Sequence, residues 1–156
     1  FAVQHTGNIL IYGEPTFRDR SLELMRRLLK DSEITVRREA LLALIQAKDD
    51  SAIQTVVSWL SATGSDADVL RDLSIRCVRD LGLKDHIPAI RTYLRDPNEV
   101  TRIQAIVTLS AWGDEESRAA FQEAAESKIV RLARAGKAAL KRLDEAKKAA
   151  GSAGGR

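Results

Sequence analysis

The chain has 156 residues, of which 44% are hydrophobic and 4% aromatic, and its formal net charge is +3. This length fits one domain, and a core so poor in aromatic residues favours helices over sheets. The single cysteine excludes an internal disulfide and a cysteine-based metal site, and no apolar run reaches the roughly 18 residues that span a bilayer.

The charge is unevenly distributed along the chain. Residues 1–127 carry 16 basic and 20 acidic side chains, whereas residues 128–156 carry 9 basic and 2 acidic ones. We therefore predict a basic helix over 128–148 that caps a single domain over 1–148. The small residues at 149–156 predict a flexible tail.

Two kinds of amphipathic helix alternate along the chain, each with apolar residues three, four and seven apart. The longer kind follows a fourteen-residue frame with a small residue fifth, an apolar residue ninth and an acid last. In chain order this frame fits weakly at 1–15, then at 36–49, 73–85 (one residue short, with Leu81 ninth and Asp85 last), 101–114 and 132–145. The shorter helices that follow or precede these are predicted at 22–31, 53–60, 87–97 and 118–125.

The small positions of the frame give the repeat length. Ala40, Cys77, Ala105 and Gly136 stand 37, 28 and 31 residues apart, and an insertion with turn residues at 61–68 lengthens one repeat. Two helices every roughly 30–40 residues is typical of an α-solenoid, in which small residues let paired helices approach closely.

The segments DSEITVRREALLALIQAKDDSAIQTVVSWL and DPNEVTRIQAIVTLSAWGDEE resemble HEAT repeats, specifically the short bacterial type also found in phycobilin lyases. The resemblance covers about residues 20–145. It implies an all-α fold, a right-handed α-solenoid of about four HEAT-like helix pairs, with the first repeat weak or truncated.

The resemblance also implies a ladder of Asp and Arg residues that links neighbouring repeats. Its members here are Asp31, Arg37, Asp96 and Arg102, each Asp standing six residues before its Arg. Asp68 stands six before Ser74, so the Arg is missing from that step. Ser127 and Ala133 replace both partners in the last one.

Candidate catalytic residues are few, because an enzyme needs reactive groups that converge in a pocket. His5, His86 and Cys77 are interpreted as structural, since no His pair has helical spacing and no activating base accompanies the thiol. The acids at 49–50 and 114–116 are interpreted as helix caps. We expect no enzyme activity, no cofactor and no metal.

The second helices are the favoured binding surface, since in HEAT solenoids they line the concave face. The positions that follow the central apolar residue, and those one turn on, could recognise an acidic segment of another protein. We predict partner contacts at Arg26, Lys30, Arg91, Arg95 and Gln122.

The basic C-terminal helix offers an alternative anion-binding surface for phosphates or an anionic membrane. Its residues are Arg131, Arg134, Lys137, Lys141 and Arg142. It lacks the interleaved aromatic residues that stack on bases, and the last helix of a solenoid must present a polar outer face in any case.

The predicted function is a non-catalytic scaffold or adaptor that binds a partner protein, as an accessory or assembly subunit of a larger complex. Two alternatives stay open: a nucleic-acid-binding protein similar to HEAT-like DNA glycosylases, and a protein similar to the chromophore lyases or to chaperones. The lone cysteine favours the cytoplasm, although a chain that begins at Phe1 leaves an exported form open.

Overall fold

The computed structural model describes residues 15–153, and within this range all regular structure is helical. The α-helices are α1 (Pro15–Leu28), α2 (Ile34–Gln46), α3 (Asp50–Leu60), α4 (Ala67–Asp80), α5 (Ile87–Thr92), α6 (Glu99–Ala111), α7 (Arg118–Ala125) and α8 (Val130–Ala153). Short 3-10 turns occupy Lys84–His86, Tyr93–Arg95 and Glu115–Ser117. His5, and nearly all of the weak first fit at 1–15, lie outside the described residues.

The predicted alternation of two kinds of helix is confirmed. The first helices of the repeats are α2, α4, α6 and α8, and the second helices are α1, α3, α5 and α7. Neighbouring helices pack on one another: α1 on α2, α2 on α3, α5 on α6, and both α6 and α7 on α8. The fold is therefore all-α and has the helix-pair architecture of an α-solenoid.

The chain forms two compact units, one ending at Ser74 and the other beginning at Ile75, inside α4. Each unit has an aliphatic core. The largest fully buried side chains of the first are Met25, Leu41, Leu44 and Val56. Those of the second are Ile75, Val78, Ile90, Ile106, Leu109, Phe121 and Leu143. Because α4 belongs to both units, the prediction of one domain over 1–148 stays a prediction.

Three first helices end in the same left-handed turn. Lys48, Gly82 and Gly113 have φ values of 57°, 69° and 73°. In each turn the next N–H donates to a carbonyl five residues back: Asp49 to Leu44 at 3.0 Å, Leu83 to Val78 at 2.9 Å and Asp114 to Leu109 at 3.0 Å. This is the Schellman arrangement, which satisfies the last carbonyls of a helix.

These turns correct the predicted register of α4 by three residues. Val78, not Leu81, is equivalent to Leu44 and Leu109, and it is fully buried whereas Leu81 is 37% exposed. Ser74 rather than Cys77 is then the small residue, and Leu83 rather than Asp85 closes the frame. The apolar spacing misled the prediction because Cys77 and Leu81 imitate the frame without having its hydrogen bonds.

The corrected register makes the repeat more regular. Its small residues, Ala40, Ser74, Ala105 and Gly136, stand 34, 31 and 31 residues apart. Arg71, which the sequence frame overlooked, now takes the position of Arg37 and Arg102. The ladder step that was predicted to lack an Arg therefore has one, Arg71.

The last helix, α8, packs closely on α7 at Gly136. A Cβ atom there would lie 2.5 Å from the backbone N of Ala125 and 2.6 Å from the backbone O of Phe121. The predicted close approach at this small residue is confirmed. The helix begins at Val130 and runs to Ala153, five residues past the predicted end at 148. The segment predicted as tail is thus helical as far as residue 153.

Candidate interaction site

Two of the predicted partner contacts are held by acids of the same chain. The Arg26 guanidinium on α1 donates two hydrogen bonds to the Asp49 carboxylate, from Nε at 3.3 Å and from Nη2 at 2.5 Å. Arg91 on α5 does the same to Asp114, from Nε at 2.9 Å and from Nη2, and its Nη1 reaches Glu116. Each Arg stands 23 residues before its Asp. The paired guanidinium therefore links a second helix to the turn of the following repeat.

Both carboxylates are almost fully buried, with 6% and 5% of the side chain exposed for Asp49 and Asp114. The Arg26 hydrogen bonds lower the pKa of Asp49, and the Arg91 hydrogen bonds lower the pKa of Asp114. Asp49 also accepts from the Ser51 backbone N–H at 3.0 Å, so its predicted role as a helix cap is confirmed.

The capping prediction is wrong for Asp114. Its side chain caps no backbone amide, and it instead accepts hydrogen bonds from Arg91 and from the Ser117 hydroxyl. Glu115 pairs with Arg118, which lowers the pKa of Glu115. The three acids form ion pairs with arginine side chains instead of capping backbone amides. Arg91 pairs with Asp114 and Glu116, and Arg118 pairs with Glu115.

The remaining predicted contacts, Lys30, Arg95 and Gln122, are exposed. Within residues 15–153 their side chains take part in no hydrogen bond or ion pair. Lys30 follows α1 and Arg95 ends the 3-10 turn after α5, so each cation lies just beyond a paired arginine. Their role as partner contacts stays a prediction.

The two ladder arginines, Arg37 and Arg102, donate hydrogen bonds to equivalent backbone carbonyl oxygens. Arg37 Nη1 donates to the carbonyl oxygens of Asp31 and Ser32 at 2.7 and 2.9 Å. Arg102 Nη1 donates to those of Asp96 and Pro97, again at 2.7 and 2.9 Å. Arg37 also pairs through Nη2 with the Asp66 carboxylate, which lies just before α4.

The residues six before these arginines shape the turn that leads into each first helix. Asp31 Oδ1 accepts from the Glu33 N–H at 2.9 Å, and Asp96 Oδ1 accepts from the Asn98 N–H at 2.8 Å. Ser127 has the same relation to the Ile129 N–H, at 3.1 Å. Ser127 therefore keeps the turn but contributes no charge.

A groove of about 500 Å³ opens beside Arg102, and we call it the Arg102 groove. Its polar lining is Arg95, Asp96, Arg102, Glu123 and Ser127. The buried side chains of Ile106, Ala124 and Leu132 contribute to its apolar part. Arg95, one of the predicted partner contacts, thus lies in this groove.

The basic residues of α8 lie on its exposed side. Leu132, Gly136, Ala139 and Leu143 form the buried side. Two residues before each of these, and so on the opposite side of the helix, stand Val130, Arg134, Lys137 and Lys141. Arg131 has Glu99 as an acid neighbour at 3.9 Å, and Arg142 donates to the Ser110 hydroxyl at 3.2 Å. A shallow groove of about 410 Å³ includes Val130, Arg134 and Lys137.

Two candidate reactive residues, Cys77 and His86, lie within the described part of the chain. Cys77 is buried, which raises the pKa of its thiol and keeps it protonated, and His86 ends a 3-10 turn. Over residues 15–153, no three His, Cys, Asp or Glu side chains are grouped so as to hold a metal ion. None of the helices in this range is long and apolar enough to cross a membrane.

Sequence reasoning missed the pairing of Arg26 with Asp49 and of Arg91 with Asp114. The signal was present, because the same separation of 23 residues occurs twice. In the intervening repeat the equivalent residues, Val57 and Leu83, are both apolar.

Comparison with known proteins agrees with the geometry. A family model described as HEAT repeats matches residues 57–141, which is more than half of the chain. No curated protein matches the sequence. The matched segment runs from α3 into α8 and includes the Arg102 groove. This match, with which the repeated helix pairs agree, shows that the chain belongs to the HEAT-repeat family.

Proposed function

We propose that the protein is a non-catalytic scaffold or adaptor that binds a partner protein through its second helices, as a subunit of a larger assembly. HEAT repeats generally serve as protein-interaction scaffolds. The observation that carries the proposal is the contrast between paired and unpaired cations. Arg26 and Arg91 are engaged within the fold, whereas Lys30 and Arg95 are exposed and have no side-chain partner in the described residues.

Exposed cations just beyond the ends of preformed helices suit an acidic partner surface. Their positions are fixed by the fold, so little backbone entropy is lost when a partner binds. Charge complementarity would speed association and select against basic partners. Gln122, exposed on α7, adds a neutral hydrogen-bonding group to the same kind of surface.

The test is affinity capture from the source organism with the intact chain, followed by mass spectrometry. We expect a stoichiometric protein partner. The double variant Lys30→Glu/Arg95→Glu should retain it at least about tenfold less well, since two favourable charges become repulsive. Recovery of the wild-type chain as a lone monomer under gentle conditions would contradict the scaffold proposal.

The matched control is Lys48→Glu/Lys84→Glu, because both residues lie in turns outside the second helices. It makes the same change of charge, with one exposed residue in each compact unit, and neither side chain has a partner in the described part of the chain. It should bind the partner as the wild type does. If both double variants bind equally well, the second helices are not the binding surface.

A further inference from the structure

We propose that the Arg102 groove binds a carboxylate side chain from an acidic segment of the partner protein. The proposal rests on the proposed scaffold function and names the chemistry of its partner. It starts from a comparison of two arginines that occupy the same position in two repeats of this chain.

Arg37 and Arg102 are oriented alike. Each donates from Nη1 to two consecutive carbonyl oxygens, at 2.7 and 2.9 Å in both cases. The two guanidinium groups are thus fixed by the same backbone contacts, which leaves Nη2 available on the other side of the fork.

The second contact is where the two arginines differ. Arg37 Nη2 pairs with Asp66, from the connection that leads into the next first helix. The connection after Arg102 has Ser127 in the position of Asp31 and Asp96, and its one acid, Glu126, is exposed and forms no ion pair with a described residue. Nη2 of Arg102 accordingly has no acid partner within residues 15–153.

The space that such an acid would fill is open. Arg102 and Ser127 both line the groove of about 500 Å³. Arg95, exposed and without a side-chain partner in the described range, contributes a second cation. An incoming carboxylate would receive charge-assisted hydrogen bonds from a half-buried guanidinium, the geometry that favours such pairs.

Two acids also line the groove, and they restrict how a partner can enter. Asp96 holds the turn before α6 through its bond from Asn98, just as Asp31 does beside the Arg37–Asp66 pair. An Asp in this position is therefore compatible with a bound carboxylate. Glu123 is exposed and disfavours a second negative charge on its side, so the site suits one carboxylate rather than a dense acidic cluster.

The experiment introduces an acid within the chain at Ser127, which lines the groove together with Arg102. Ser127→Asp keeps an oxygen acceptor for the Ile129 N–H and places a carboxylate in the groove, where it should pair with Arg102. Ser127→Asn keeps the acceptor without the charge and is the matched control. We expect the Asp variant to have an unchanged or higher Tm, so that lost binding cannot be ascribed to unfolding.

Binding is measured on the intact chain by NMR, from the Nε–Hε signal of Arg102, assigned with Arg102→Lys. The probe is a short peptide in which Asp and Glu alternate with Gly and Ser. We expect a saturable shift in the wild type and in Ser127→Asn, and an affinity about tenfold or more lower in Ser127→Asp. An Asn/Gln version of the peptide should cause no shift.

The proposal is overturned by the absence of a shift in the wild type, by equal binding by Ser127→Asp, or by equal binding of the Asn/Gln peptide. Sodium acetate at the same carboxylate concentration is a further arm, and equal saturation by acetate would assign the groove to small anions instead of a protein segment. If the wild type and Ser127→Asp capture the partner equally well, the scaffold proposal stands and the groove proposal is refuted. A peptide response without any captured partner refutes the scaffold alone.

Discussion

Two ion pairs link a HEAT repeat of this chain to the next. Arg26 and Arg91 each cross from a second helix to a buried Asp in the following turn. A buried carboxylate without a partner would be costly, so these arginines hold the turn in place as well as compensating its charge. The surface charge of the second helices is consequently smaller than the count of arginines suggests.

Replacing Asp114 with Asn should destabilise the fold at neutral pH and much less in acid. The pKa of Asp114 in the folded state is lowered by Arg91, from a usual value of 3.8. A lowered pKa means that the carboxylate stabilises the fold above that usual value, and that this contribution is lost as the pH falls through the folded-state pKa. We expect a loss of roughly 1–2 kcal/mol at pH 7, moderated because Arg91 is partly in water.

Thermal unfolding of wild type and Asp114→Asn between neutral pH and about pH 2.5 measures this effect. The difference between the two curves should begin to shrink below about pH 4 and should keep shrinking as the pH falls towards the folded-state pKa of Asp114. Asp85→Asn is the control, because Asp85 is exposed and has no side-chain partner among residues 15–153. A constant difference between Asp114→Asn and wild type across the whole range would show that the charge of Asp114 is not what stabilises the turn.

At the scale of the helix, the close packing of α8 on α7 depends on the absence of a side chain at Gly136. Gly136 lies in the interior of α8, where glycine ordinarily costs up to about 1 kcal/mol relative to alanine. Glycine is nevertheless favoured at this position, because the backbone of α7 leaves no room for a Cβ atom. Leu132, Ala139 and Leu143 extend the same buried side of the helix.

Gly136→Ala should therefore destabilise the protein, although alanine is the better helix former. The added Cβ would meet backbone atoms of Phe121, Ala124 and Ala125, which cannot rotate away. Overpacking of this kind costs about 1–3 kcal/mol, more than the helix propensity returns. Urea unfolding measures it. Ala138→Gly, at an exposed position of α8, reports the propensity alone, and equal and opposite effects of the two substitutions would refute the packing explanation.

The helices were predictable because their apolar spacing and their terminal glycines agree. Gly113-Asp114 marks the end of α6 in the sequence and in the structure. The register of α4 was not predictable in the same way, since Cys77 and Leu81 satisfy the apolar pattern three residues from the true position. The hydrogen bond from Leu83 to Val78, the left-handed turn at Gly82 and the burial of Val78 resolve the two possibilities.

The site was less predictable than the fold, for a geometric reason. Arg95 was identified from its place on a second helix, and it does line the Arg102 groove. Ser127 was recognised as a departure from the ladder, but its consequence depends on which acid faces Arg37. That acid, Asp66, stands 29 residues away within a loop insertion, and no helical periodicity extends through such a loop.

Over the whole chain, the net charge of +3 combines an acidic body with a basic end. Residues 1–127 have a net charge of −4, and the basic residues that follow lie along the exposed side of α8. The net negative charge of residues 1–127 would oppose phosphate binding at this helix. No tryptophan, tyrosine or phenylalanine stands within residues 128–156 to stack on bases.

We therefore expect any binding to DNA or RNA to be weak and lost with salt. Contacts between cations and phosphates release counterions, so their affinity falls steeply as salt rises, and exposed charges are largely screened at about 150 mM. Fluorescence anisotropy with a labelled duplex and a labelled single strand, over a salt series, measures this. Arg134→Glu/Lys137→Glu should abolish whatever low-salt binding exists and leave capture of the protein partner unchanged. Saturable binding that persists at physiological salt and requires Arg134 and Lys137 would instead make α8 a nucleic-acid site, because nonspecific attraction alone does not survive those conditions.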